Sequence, residues 1–158
     1  MISSSKKFRQ PRAALLLLHF LAFTLLGCTR EDAVTREARI LILARTISTN
    51  NDLEVRSTKS RELFFIMKDT RCNNLSPGTI ELLGELFNIK DDSVRYWIAR
   101  GMRRIGPCAK LVLPDVLPIL PIVDCMPGLQ RSAEEIHGLL SDLGSPRRYT
   151  NPRDCAAR

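Results

Sequence analysis

Few residues of this sequence have the types and the spacing that catalysis requires. Only two histidines occur, His19 and His137. His137 follows Glu134 and Glu135 within one helical turn, but a His-Glu-x-x-His zinc motif needs a second histidine, which this stretch lacks. We therefore expect His137 to be a partly exposed helix histidine with no catalytic role, and the alternative is an enzyme that uses this residue. Neither a glycine-rich phosphate loop nor a Gly-x-Ser-x-Gly elbow occurs. The sequence therefore predicts a protein that is not an enzyme and that holds no metal or cofactor.

Residues 1–27 have the composition of an export signal. Residues 1–12 carry four basic side chains and no acid, and residues 13–27 are almost wholly apolar. This order is typical of a secretory signal, and the apolar run is too short for a comfortable membrane span of roughly 20 residues. Gly27 supplies the small residue that cleavage before Cys28 needs. The alternative is an uncleaved membrane anchor with an incidental cysteine.

The end of this segment, Leu25-Leu26-Gly27-Cys28, resembles the lipobox of bacterial lipoproteins. The resemblance implies cleavage before Cys28, a thioether-linked diacylglycerol on its sulfur, and acylation of the new amino terminus. Each buried methylene contributes about 0.8 kcal/mol and stable anchoring takes two chains or more, so such a protein is held firmly on a membrane. In similar lipoproteins an Asp after the cysteine favours the inner membrane, whereas Thr29 follows here. We therefore expect a lipid-anchored protein of a bacterial cell envelope, on the periplasmic side of the outer membrane rather than on the inner membrane.

The charge balance gives little support for a nucleic-acid partner. The chain carries 24 Lys+Arg and 17 Asp+Glu, a formal net charge of +7, and four of these bases lie in the signal. The mature part therefore has 20 minus 17, or +3. That modest balance does not call for nucleic acid, which an exported protein rarely meets.

The mature chain keeps four cysteines besides Cys28, and we expect them to form disulfides. They are Cys72, Cys108, Cys125 and Cys155. An oxidising periplasm and an even number suit a disulfide framework, for which three pairings are possible. The alternative is a set of buried free thiols.

Apolar residues at helical spacing predict an all-α mature domain. The predicted helices are Glu31–Ser48, Leu53–Lys68, Thr79–Phe87, Ser93–Ile105, Ala109–Val123 and Arg131–Leu143. Asp52 is the expected N-cap of the second helix, and Ser76 with Pro77 is expected to begin the third. The interior prolines of the fifth helix predict a kink or a break after Leu117.

A short pattern recurs along the mature chain. Asp52-Leu53-Glu54-Val55-Arg56 aligns with Asp91-Asp92-Ser93-Val94-Arg95, 39 residues later. A period near 40 with two helices per period is typical of a helical solenoid, because one helix pair alone cannot bury both of its faces. The second unit resembles HEAT or HEAT-like repeats through Asp91 to Ala99, Ile105-Gly106-Pro107 and Leu113 to Leu120. The alternative is an irregular helical bundle in which the repeated Val-Arg pair is a coincidence.

The HEAT-like resemblance implies a short solenoid of about two to three helix pairs. This repeat domain would span residues 51–144, after a lipidated amino terminus with the first helix at 28–50 and before an irregular, arginine-rich tail at 145–158. The resemblance also implies a ladder of polar contacts between successive units. The residues of that ladder would be Asp52, Arg56, Asp91 and Arg95.

The repeat also bears on the disulfide pairing. Cys72 and Cys108 each follow the first helix of their unit, so stacking would bring them to the same edge of neighbouring units. A disulfide needs α-carbons within about 7 Å, which adjacent stacked loops can meet. The resemblance therefore favours a Cys72–Cys108 disulfide, which leaves Cys125 to pair with Cys155.

A basic patch on the fourth predicted helix favours protein binding. Its residues are Tyr96, Arg100, Arg103 and Arg104. Tyr and Arg are enriched in protein interfaces, although the alternative is a solvated helix face. The sequence thus predicts a non-enzymatic helical-repeat module that contacts membrane lipid through acylated Cys28 and binds an unidentified envelope protein. Two other functions remain open: an immunity lipoprotein that neutralises a toxin delivered into the periplasm, and a structural factor for assembly of the envelope.

Overall fold

Six α-helices and three short 3-10 segments make up the part of the chain that the structure, a computed structural model, describes. The described residues are 32–126, 128–145 and 155. The α-helices are α1 (Ala33–Thr49), α2 (Leu53–Met67), α3 (Pro77–Glu85), α4 (Asp92–Ile105), α5 (Leu113–Cys125) and α6 (Gln130–Asp142). The 3-10 segments are Cys72–Asn74, Leu86–Asn88 and Pro107–Val112. The described residues contain no β-strand, so the all-α prediction is confirmed. The predicted signal at 1–27 with His19, the predicted lipidation site Cys28 and most of the predicted tail lie outside the described residues.

Equivalent aspartates determine where α2 and α4 begin. The Asp52 carboxylate accepts hydrogen bonds from the N–H groups of the second and third residues of α2, at 2.8 and 3.2 Å. The Asp91 carboxylate does the same for α4, at 2.9 and 3.2 Å. These bonds satisfy N–H groups that have no partner within the helix, and such a cap stabilises a helix by about 1 kcal/mol. The aspartate of the repeated pattern therefore marks a helix start in both units.

The proline-rich helix differs from its prediction. α5 runs from Leu113 to Cys125 without interruption although Pro118 and Pro121 lie inside it. Of the kink or break predicted after Leu117, the break does not occur. An interior proline removes one N–H donor and crowds the carbonyl four residues earlier. Both prolines lie outside the buried side of α5, where water can solvate the freed carbonyls. The buried side, which packs continuously, consists of Val116, Ile119, Leu120 and Val123.

The helices pack in a regular order. α4 packs against α2 on one side and against α6 on the other. These three helices would be the first helices of the predicted units, and they lie side by side in the order in which they occur along the chain. α1 packs against α2 and α3, and α3 packs against α5 and the segment Pro107–Val112. One continuous apolar core joins them, with side chains such as Ile47, Leu63, Leu83, Ile98 and Leu139 fully buried.

Hydroxyl groups link α2, α4 and α6, which lie side by side. The Ser57 hydroxyl of α2 and the Ser93 hydroxyl of α4 share a hydrogen bond of 2.8 Å. The Ser132 hydroxyl of α6 donates to the carboxylate of Asp92 in α4. Each hydrogen bond lies between neighbouring helices, so it orders one helix against the next.

The four predicted ladder residues lie near the starts of α2 and α4. Asp52 and Asp91 cap their own helices, as described above. The Arg95 Nε donates to the backbone carbonyl of Phe87 at 2.9 Å, and only 4% of Arg95 is exposed. Burial lowers the pKa of Arg95, and the negative charges of Asp92 and Asp91 oppose that shift. The equivalent Arg56 is half-buried, and its guanidinium lies 3.5 Å from the side-chain oxygen of Asn51.

Two cysteine pairs lie at disulfide distance. The α-carbons of Cys72 and Cys108 are 5.6 Å apart, and those of Cys125 and Cys155 are 5.1 Å apart. Both values fall within the range that a disulfide permits. The first pair joins the segment after α2 to the segment after α4, and the second joins the end of α5 to the carboxy-terminal region. Of the three possible pairings, the structure has the one that the repeat favours.

The carboxylate of Glu37 on α1 holds the start of α3. One of its oxygens accepts a hydrogen bond from the Thr79 hydroxyl at 2.5 Å and another from the Ser76 backbone N–H at 2.7 Å. These hydrogen bonds, that from Thr79 foremost, lower the pKa of Glu37 below its ordinary value. The ionised carboxylate also lies beside the positive end of the α3 dipole, which favours negative charge.

Replacing Glu37 with Gln should lower the free energy of unfolding at neutral pH, by less than about 1 kcal/mol because the site is exposed to solvent screening. The pKa of Glu37 is lower in the folded state than in the unfolded chain, so its contribution is present above the unfolded pKa and disappears as the pH falls through the folded value. Urea unfolding of both proteins followed by circular dichroism should therefore show a difference at neutral pH that vanishes at acidic pH. Glu81→Gln, an equal loss of charge on the exposed side of α3, is the control. A difference that persists in acid would contradict this assignment.

Candidate protein-binding face

The four residues of the predicted basic patch divide into two groups. Tyr96 and Arg100 lie together, with the Arg100 guanidinium donating to the Tyr96 hydroxyl at 2.9 Å. Arg103 turns towards α6 instead, and Arg104 is exposed. Arg100, Arg103 and Arg104 nevertheless line one depression together with Glu135 and Asp142. The predicted patch is therefore one stretch of surface in which Arg100 contacts an aromatic side chain and Arg103 contacts acids.

Arg103 connects α4 to α6. Its Nε donates to the carboxylate of Asp142 and a terminal nitrogen to that of Glu135, both at 2.8 Å. These hydrogen bonds, that to Asp142 foremost, raise the pKa of Arg103 above its ordinary value. The guanidinium passes so close to Gly138 that a β-carbon there would lie 2.7 Å from one of its nitrogens. Arg103 thus serves helix packing, because its donors are already directed at two carboxylates.

Aromatic rings from two helices surround Arg100. The ring of Trp97 lies 5.3 Å from that of Phe64 on α2 and 4.8 Å from that of Tyr96. Phe65 contacts Phe64 with ring centres 5.3 Å apart. Phe64 is 7% exposed and belongs to the interior, whereas Phe65 is 46% exposed. Trp97 is partly exposed within this aromatic group.

Basic side chains lie over these rings. The Arg100 guanidinium is 5.1 Å from the centre of the Phe64 ring and 5.8 Å from that of Trp97. Arg131 of α6 lies 4.7 Å from the centre of the Tyr96 ring. Arg61 of α2 and Lys68, the residue that caps the end of α2, lie 5.9 and 5.1 Å from the centre of the Phe65 ring. A cation over an aromatic ring contributes about 0.5–1 kcal/mol at an exposed site. We call this surface of α2, α4 and α6 the aromatic–cation face, and its residues are Arg61, Phe64, Phe65, Lys68, Tyr96, Trp97, Arg100 and Arg131.

The cations of this face lack acidic partners within the described part of the chain. Residues 32–145 carry 15 basic and 15 acidic side chains, so the helical domain is formally neutral. No described carboxylate forms an ion pair with Arg61, Lys68, Arg100 or Arg131, whereas the nearby Arg103 has two such partners. The positive charge of the face therefore arises from the arrangement of these side chains and not from an overall excess.

The one histidine among the described residues is buried. His137 is 4% exposed, and its Nε2 lies 2.7 Å from a carboxylate oxygen of Asp124, so the expectation of a partly exposed histidine is wrong. The two side chains connect α6 to α5 and are both less than a tenth exposed, which leaves little room for a substrate. Among the described residues, no group of three or more His, Cys, Asp or Glu side chains is arranged to hold a metal ion.

Comparisons with known proteins add no assignment to this geometry. No protein-family model matches the chain, and no curated protein or solved structure matches it either. Within the described residues, none of the helices has both the length and the apolar character to cross a membrane. The aromatic–cation face is therefore interpreted from its own residues.

Sequence reasoning found the α4 half of this face and missed the rest. The other residues come from α2, from its C-cap and from α6, and the sequence does not state which helices adjoin. They are Arg61, Phe64, Phe65, Lys68 and Arg131. One signal was available in the doublets Phe64-Phe65 and Tyr96-Trp97, because neighbouring residues on a helix point about 100° apart and one of the two rings can lie at the edge of the buried stripe. In the structure Phe65 is exposed and Phe64 is buried.

Proposed function

We propose that this chain is a non-enzymatic protein-binding module, built as a short HEAT-like solenoid and tethered to a bacterial envelope membrane through Cys28. The observation that carries the proposal is the aromatic–cation face. Aromatic residues and Arg are enriched at protein interfaces and dominate their binding energies. A partly exposed Trp97 and an exposed Phe65 lie beside cations that have no acidic partner within residues 32–126 and 128–145. A protein interface needs such side chains to be accessible before its partner binds.

The order of helix packing supports the solenoid. α2, α4 and α6 lie side by side in chain order. α2 and α4, which would begin the first and second units, each start with an aspartate cap at the same position of the repeated pattern. A solenoid places equivalent helices side by side and presents them as one extended surface. The aromatic–cation face draws its residues from all three of these helices.

The tether and the compartment rest on the sequence of the first 28 residues. The motif ending at Cys28 resembles the lipobox, and acylation there would keep the helical domain beside a membrane. The two cysteine pairs at disulfide distance support an oxidising compartment such as the periplasm. An immunity lipoprotein and an envelope assembly factor are narrower forms of this proposal, and the identity of the captured partner distinguishes them.

Crosslinking in intact membranes tests the proposal. The double variant Phe65→Ala with Arg131→Ala removes one exposed ring and one cation from the face. The matched control is Leu111→Ala with Lys110→Ala, which removes an apolar residue 45% exposed and an exposed cation from the segment Pro107–Val112. Truncating a hot-spot residue of an interface costs about 2 kcal/mol or more of binding free energy. We therefore expect the yield of a specific crosslinked protein, identified by mass spectrometry, to fall at least about tenfold in the face variant.

Two outcomes would overturn this function. If the face variant and the control recover the same proteins in the same yield, the aromatic–cation face does not bind a protein. The Cys28→Ser variant tests the tether separately, since it should move the folded protein from the membrane to the soluble fraction. A Cys28→Ser protein that stays in the membrane would contradict lipidation at this residue.

A further inference from the structure

We infer that the aromatic–cation face binds a carboxylate-bearing segment of its protein partner, seated in the groove between Arg61 and Arg131. This inference rests on the proposed function and names the chemistry of the partner. The groove has a volume of about 280 Å³ and lies where α2, α4 and α6 adjoin. Its lining includes Arg61 from α2, Tyr96 and Trp97 from α4, and Arg131 from α6.

Aromatic rings hold the two arginines in place, and no acid in the described part of the chain neutralises them. Arg131 lies over the ring of Tyr96 and Arg61 over that of Phe65, at 4.7 and 5.9 Å from the ring centres. A guanidinium that lies over a ring still presents N–H groups at its edges, and this planar fork matches a carboxylate in two parallel hydrogen bonds. Because the rings already restrict both side chains, less conformational entropy is lost when a partner binds.

The acid within the groove does not cancel these cations. Asp92 also lines the groove, and its carboxylate accepts the hydroxyl hydrogen of Ser132 and lies near the start of its own helix. It forms no ion pair with Arg61 or Arg131. Against the one hydrogen-bonded carboxylate of the groove there are therefore two guanidinium groups that no acid among the described residues neutralises.

The surroundings favour a short acidic segment over a polyanion. Nucleic acid binding depends on cations spread along a charged backbone. Here the helical domain is formally neutral, and Glu135 and Asp142 lie beside Arg103 and Arg104 on the adjoining part of α4 and α6. A long polyanion would meet these carboxylates, whereas one or two acidic side chains entering the groove would not. The partner chemistry that fits is thus an acidic stretch of a protein.

Peptide binding to the purified full chain tests the inference. Fluorescence anisotropy would compare labelled hexaglutamate with labelled hexaglutamine, and a labelled short oligothymidylate would provide a nucleic-acid probe. We expect hexaglutamate to bind at least about tenfold more tightly than hexaglutamine, and more tightly than the oligothymidylate. The variant Arg61→Gln with Arg131→Gln should lose about tenfold of the hexaglutamate affinity. The control Arg45→Gln with Lys110→Gln has the same net charge and should bind like the original chain.

The possible results separate this inference from the proposed function. Equal affinity for the two peptides would overturn the carboxylate groove. So would an equal loss of hexaglutamate affinity in the Arg61→Gln, Arg131→Gln variant and in the Arg45→Gln, Lys110→Gln control. Tighter binding of the oligothymidylate would point to a nucleic-acid surface and would also overturn it. If the Phe65→Ala, Arg131→Ala variant loses its crosslinked protein while hexaglutamate does not bind selectively, the protein-binding function stands and the acidic partner is wrong.

Discussion

Replacing Cys72 and Cys108 together with serine should lower the free energy of unfolding by about 3–4 kcal/mol. The two cysteines are 36 residues apart in the sequence, and their bond closes a loop of that size in the unfolded chain. Without the bond the unfolded chain regains the conformations that the closed loop forbids. For a chain of this length such a loss corresponds to a fall of roughly 10 °C in Tm.

Thermal and urea unfolding of the oxidised protein and of the double serine variant would measure this effect. The variant Cys125→Ser with Cys155→Ser opens a loop of similar size, 30 residues, and should cost a similar amount. Intact-mass analysis after alkylation should find none of these four thiols free before reduction. Four alkylatable thiols in the unreduced protein, or an unchanged free energy of unfolding, would contradict the two disulfides.

Local signals explain how much of this fold the sequence could predict. Helix starts were readable because Asp52, Ser76 and Asp91 are capping residues whose side chains accept hydrogen bonds from N–H groups in the first helical turn. The end of α4 was readable because Gly106 has a positive φ of 98°, which glycine adopts without strain. Such signals act over three or four residues, which is the range that a sequence shows directly.

The errors concern contacts between helices. The prediction of a kink or break in α5 considered only the backbone cost of Pro118 and Pro121. It did not consider the packing of the buried side of the helix, which is continuous. His137 was expected near the surface because its sequence neighbours Glu134 and Glu135 are charged, but Asp124 of another helix is its partner. In both cases the deciding contact comes from a different helix.

The candidate face shows the same division. Tyr96 and Arg100 are four residues apart on one helix, so their proximity was predictable. Arg103 and Arg104 come less than two turns after Arg100 on the same helix. Arg103, however, donates hydrogen bonds to Glu135 and Asp142 of α6, which are more than 30 residues away. A single sequence does not show which acids will meet a given arginine, so it could not separate Arg103, which pairs with acids of α6, from Arg100, which lies over aromatic rings.

Replacing Gly101 with Val should lower the free energy of unfolding by about 2–3 kcal/mol, because the site has no room for a side chain. Gly101 lies on α4 where this helix crosses α2. A β-carbon there would lie 2.7 Å from the terminal methyl carbon and the sulfur of Met67 and 3.3 Å from its β-carbon. Met67 is fully buried, so its side chain has little space into which to move. Gly101 is therefore required by the contact between α4 and α2 and not by its backbone conformation.

The Gly78→Val variant is the control for this prediction. Gly78 also lies in a helix, but nothing lies within 4 Å of the position that its β-carbon would occupy, so that change should shift the free energy of unfolding by less than about 0.5 kcal/mol. A double-mutant cycle with Met67→Ala identifies the colliding atoms. In that background the penalty of Gly101→Val should shrink by about 1 kcal/mol or more, because the sulfur and terminal methyl group are gone. Additive effects of the two substitutions would show that α4 and α2 do not meet at Gly101, and the close crossing that brings Trp97 against Phe64 would then be wrong as well.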